Sequence, residues 1–132
     1  MASPSALISS ALRTYDQALR TLEEALAEGS MLKMKDAASL AWEAVVDAVD
    51  ALILKLAGSL PRSHFERRRL LMRLTEGDPE LAEKGLYDRF VARSRLFRGE
   101  LLHEDVLDTE LFRLEVLKAG ELLRIVEGKL RG

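Results

Sequence analysis

The most concentrated chemistry in this chain is a set of arginines spaced for helical faces. Arg69/Arg73 and Arg89/Arg93 are four-residue pairs, and residues four apart are neighbours on a helix surface. Residues 61–100 hold ten Lys/Arg against seven Asp/Glu, a local +3 in a chain whose net charge is −2. If the two helices carrying them pack antiparallel, Arg69, Arg73, Arg89 and Arg93 form a phosphate-binding surface. No exposed aromatics read as interleaved with these rows to stack bases. The same arginines could instead form a solvated face, or pair with nearby acids.

A second constellation is acidic. Asp36, Ser39, Glu43, Asp47 and Asp50 step by three and four, so they make one stripe along a helix. Hard cations favour such oxygens. A two-metal site in a helical bundle, however, needs Glu-x-x-His pairs from facing helices, and the sequence has none. With no cysteine and only His64 and His103, thiolate zinc, iron–sulfur and histidine-rich sites are excluded. Neither a glycine-rich phosphate loop nor a serine nucleophile elbow is present. The expectation is no metal and no cofactor. His64 reads as a first-turn surface residue, and Trp42 and the methionines at 31, 34 and 72 read as core filler.

The elements that must position these groups are clearly punctuated. Ser3-Pro4 opens a first helix that Gly29 closes, and Ser30 caps a second that runs to Gly58. Ser63-His64-Phe65-Glu66 matches a capping box and starts a third, ending near Gly77. Asp78-Pro79 opens a fourth through about Phe97, with Gly99 ending or bending it, and Asp105 or Asp108 caps a last helix to about Glu127. No stretch alternates like a strand. The chain has 132 residues, 48% hydrophobic and 32% charged, which suits one domain with its own core. The expected fold is therefore an all-α, five-helix, up-and-down bundle spanning 1–132, with short connections.

Apart from the polar stripe and Lys55, every residue from Ala37 to Ala57 is apolar. A helix apolar over most of its circumference must be covered on several sides. A homodimer seam along the second helix would do this, as would burial inside one chain. Acidic residues within this stretch rule it out as a membrane span, and no export signal precedes Asp16, so the expected location is cytoplasmic. There is no asparagine and a single glutamine, Gln17, beside many charges, a bias that a thermophilic source favours.

The run Ala37-Ala38-Ser39-Leu40-Ala41-Trp42-Glu43-Ala44-Val45-Val46 resembles the second-helix pattern of the small archaeal PaREP proteins, helical relatives of the HEPN superfamily. A first helix with Tyr15 and Leu19, then Leu96-Phe97 before a polar bend and Asp105-Val106, follows the same order. The resemblance implies a HEPN-like bundle, commonly dimeric, working with nucleotides or RNA and often beside a nucleotidyltransferase partner. It also draws attention to Arg98 and His103, which match the Arg, four residues, His spacing of HEPN ribonucleases. There an imidazole moves the 2′-hydroxyl proton and a guanidinium holds the developing phosphate charge, without metal. On a continuous helix the two side chains stand about 140° apart, so a bend at Gly99 would have to bring them together. Three expectations result: an interaction or accessory module associated with RNA or nucleotides, a metal-independent endoribonuclease using Arg98 and His103, or a purely structural dimer.

Overall fold

The computed structural model describes residues 2–100 and 108–132. Among these, the chain is all-helical, with six α-helices and one π-helical turn. Helix α1 (Pro4–Glu28) begins where the Ser3 hydroxyl accepts the Ala6 N–H at 3.1 Å. It ends at Gly29, whose φ of 64° is the left-handed conformation that costs glycine least. Ser30 then caps α2 (Met31–Ala57) through the Lys33 N–H. A link this short forces the two long helices into an antiparallel hairpin. Ser63 opens α3 (His64–Glu76), Asp78 opens α4 (Pro79–Glu83), and Asp108 opens α6 (Thr109–Arg131), each by accepting first-turn N–H groups.

Between them lies α5 (Leu86–Arg95), which continues into the π turn Leu96–Glu100. The single fourth helix expected from the sequence is thus two helices. Gly85 takes φ 63°, which breaks the run after α4 and re-aims α5. The last helix also runs one turn further than expected, to Arg131, where Lys129 pairs with Asp78. No helix among the described residues is long and apolar enough to cross a membrane.

The core is built around α2. Its Ala37, Ala38, Ala41, Ala44, Ala48 and Ala51 are all fully buried, and small side chains let helix axes approach closely. Ala11, Ala18 and Ala25 of α1, two turns apart, are buried with them. Helix α6 lies against both α1 and α2, while α3, α5 and the π turn cover the remaining flank. Most of the apolar circumference of α2 is therefore covered inside one chain, with Leu32 and Leu56 left exposed.

Two long-range contacts fix the direction of α6. Lys55 at the end of α2 donates to the Leu130 carbonyl at 2.6 Å, and Tyr15 donates to the Val116 carbonyl at 2.9 Å. Helix α6 thus runs parallel to α2. His64 at the start of α3 lies beside Trp42 in the middle of α2, so residues 58–63 run back along that helix.

Candidate functional site

Arg67 settles the orientation of α3. Its guanidinium grips Asp50 of α2 through Nε at 2.7 Å and a terminal nitrogen at 3.1 Å. Both side chains are largely shielded from solvent, and a two-point guanidinium–carboxylate contact fixes rotation as well as position. At the N-terminus the Ser63 hydroxyl accepts the Glu66 N–H, and the Glu66 carboxylate accepts the Arg62 N–H. The capping box is present, with its return contact one residue earlier than the usual form. With Arg67 turned inward, Phe65, Arg68, Arg69, Met72 and Arg73 face outward along α3.

Helix α5 runs antiparallel beside it. At one end His64 meets Phe90 and Trp42, with ring centroids 6.0 Å apart in each case, and Trp42 and Phe90 are 5.4 Å apart. At the other end Tyr87 lies beside Met72. The seam between them is open. A groove of about 320 Å³ is lined by Phe65, Arg68, Arg69, Met72, Arg73 and Tyr87. A smaller hollow of about 240 Å³ continues along α5, lined by Arg68, Val91, Ser94 and Arg95. Arg68 is the wall common to both.

The expected arginine surface is only half present. Arg69 and Arg73 are exposed in the groove. Arg89 instead donates to the Lys84 carbonyl at 2.9 Å and pairs with Glu121 of α6 at 3.0 Å. Arg93 is buried against Glu115, also of α6, at 2.7 Å. The reason is helical phase. Positions 87, 91, 94 and 95 of α5 turn toward α3, whereas 89 and 93 turn toward α6. The two helices pack antiparallel, but α5 contributes Arg95 to the seam rather than Arg89 and Arg93. Among the described residues no carboxylate pairs with Arg68, Arg69, Arg73 or Arg95.

The expectation of no stacking aromatics is also corrected. Phe65 is 71% exposed, and Tyr87 faces it across the groove. The signal for Phe65 was in the sequence, since it precedes Arg68, Arg69 and Met72 by three, four and seven residues. Tyr87 becomes visible only once α5 has been placed. His64, expected at the surface, is half-buried beside Trp42 and Phe90, and its Nε2 lies 3.4 Å from the Ser94 hydroxyl. Burial chiefly, then the charges of Arg98, Arg67 and Arg68, hold the imidazole below its ordinary value. It is therefore neutral at pH 7.

Arg98 sits exposed in the π turn. His103 lies outside the described residues, so the structure gives no geometry for the Arg98/His103 pair. The acidic stripe does not gather a metal site. Asp36 and Glu43 are exposed and Asp50 is held by Arg67. Partial burial first, and then Glu43 and Asp50, raise the Asp47 carboxyl from its ordinary value, against the charge of Arg67. Among the described residues no group of three His, Cys, Asp or Glu side chains could hold a metal ion. Comparison of the chain with protein-family models, with curated proteins and with solved structures gives no match in any of the three.

Proposed function

We propose that this chain is a small helical-bundle accessory module of HEPN/PaREP-like type that associates with RNA or nucleotides through the seam between α3 and α5. The observation that carries this reading is the groove in which Arg68, Arg69 and Arg73 flank the exposed ring of Phe65 and face Tyr87. Single-stranded nucleic acid needs both kinds of group. Guanidiniums neutralise the backbone, and an aromatic face holds a base by stacking, worth about 1–3 kcal/mol per base. With a net charge of −2, the chain as a whole does not attract polyanions. The affinity then belongs to this seam and not to a general positive coat.

Binding of a short single-stranded RNA, followed by fluorescence anisotropy across a salt series, tests the reading. Three phosphate contacts predict a log–log salt slope of about −2, from roughly −0.7 per contact on single strands. Arg69→Glu with Arg73→Glu should flatten that slope and cut low-salt affinity by at least tenfold. Phe65→Ala should weaken binding while leaving the slope in place. Absence of binding at low salt, or affinities unchanged by these substitutions, would overturn it.

A further inference from the structure

The groove does not end at Arg68. Beyond it lies the hollow lined by Arg68, Val91, Ser94 and Arg95. Here two guanidiniums and a hydroxyl line a space of about 240 Å³, against about 320 Å³ for the groove. A phosphodiester inside a strand carries one negative charge and has chain on both sides. A terminal phosphomonoester carries close to two, has three free oxygens, and needs an exit on one side only. The hollow has the matching charge: two guanidiniums, Arg68 and Arg95, line it beside the Ser94 hydroxyl.

The polar groups match in kind as well. A guanidinium presents donors in a planar fork suited to phosphate oxygens, and both Arg68 and Arg95 are without a carboxylate partner among the described residues. His64 stands behind Ser94, its Nε2 3.4 Å from the Ser94 Oγ. In the neutral ring one nitrogen donates and the other accepts. With the proton on Nε2, the ring donates to Ser94 and leaves the serine O–H free to donate into the hollow. We propose that this hollow is a binding site for the terminal phosphomonoester of an RNA or nucleotide whose base lies on Phe65 and Tyr87. Arg68 and Arg95 grip the phosphate, and Ser94 donates to it from a position set by His64.

This inference rests on the RNA or nucleotide reading of the adjoining groove, and the test separates the two. One oligoribonucleotide is prepared with a 5′-phosphate, with a 3′-phosphate, and with hydroxyls at both ends, and each is bound to the full chain. One of the phosphorylated forms should bind at least tenfold more tightly than the hydroxyl form, equivalent to about 1.4 kcal/mol. Which one does so identifies the end that is recognised. Arg95→Gln and Ser94→Ala should both remove that advantage, and Ser94→Ala should leave the affinity of the hydroxyl form unchanged. Arg95 is exposed, so its variant keeps the fold, and circular dichroism verifies this.

The bound dianion should also raise the pKa of His64, read from its ring proton resonances, against the depressing charges of Arg67, Arg68 and Arg98. Equal binding of all three oligonucleotides would overturn the terminal-phosphate site and leave the groove reading standing. An advantage that survives both substitutions would overturn it too. Failure of every form to bind would remove both.

Discussion

Glu115→Ala, with Arg93 left in place, is expected to cost the fold about 3–5 kcal/mol, the range found when one partner of a buried ion pair is removed. The two side chains are each 5% exposed and meet at 2.7 Å between α5 and α6. Burial pulls the Arg93 guanidinium below its ordinary value, and the charge of Glu115 pulls it back up. The satisfaction is incomplete, since Arg93 Nε and Glu115 Oε2 make no well-formed hydrogen bond. Lys118, at 3.9 Å, is too distant to do more than lend charge. Removing the carboxylate strands a cation in the core, and the total stability of a domain is only about 5–15 kcal/mol.

The decisive comparison is the double variant Arg93→Leu/Glu115→Leu, which removes both charges and keeps apolar volume. It should recover most of the loss, because desolvating two ions offsets much of their attraction. Denaturant midpoints of the three proteins measure this. A single variant within 1 kcal/mol of the parent would show that water reaches the pair.

Gly120→Ala is the second large effect, and its sign is the informative part. In a helix interior this exchange normally stabilises by about 1 kcal/mol. At Gly120 of α6, however, an added Cβ would stand 2.3 Å from the Tyr15 hydroxyl oxygen and 2.6 Å from its ring carbon. Tyr15 is packed against the core, and its hydroxyl donates to Val116 at 2.9 Å, so it cannot swing away without losing that bond. Overpacking of this kind costs about 1–3 kcal/mol, and a lost hydrogen bond about 1 more. The net expectation is a loss of about 2 kcal/mol and a fall in Tm of roughly 6–10 °C for a domain of this size. Gly128 in the same helix is the control. A Cβ there meets nothing within 4 Å, so Gly128→Ala should raise Tm. In a Tyr15→Leu background the cost of Gly120→Ala should disappear, and its persistence would place the strain elsewhere.

The caps were the most legible part of the structure. Ser3, Ser30, Ser63, Asp78 and Asp108 each accept the N–H groups that their sequence positions imply, because capping depends only on neighbours within one turn. The break at Gly85 was also local, yet a lone glycine inside a helical pattern does not by itself mark an end. The apolar breadth of α2 correctly signalled cover on several sides. It could not say that α1, α6 and the α3–α5 flank supply that cover, since the supplier depends on how distant segments pack. The same limit governed the arginines. Four-residue spacing shows that Arg89 and Arg93 share a face, while only the rotation of α5 decides that this face meets Glu121 and Glu115. Phe65 and Tyr87 form one groove for that reason as well.

The placement of α6 parallel to α2 also sets the order in which the chain can fold. The α1–α2 hairpin is made of contacts between near neighbours joined through Gly29 and Ser30, so it closes cheaply and early. The bond from Lys55 to Leu130 spans 75 residues, and closing so large a loop draws on chain entropy before any contact is gained. A chain still emerging from the ribosome would therefore hold a finished hairpin with one apolar flank of α2 bare until Thr109–Arg131 arrives. Pulsed hydrogen exchange should find the amides of α1 and α2 protected before those of α6. Until then that flank is where a chaperone would bind or where two unfinished chains would stick together.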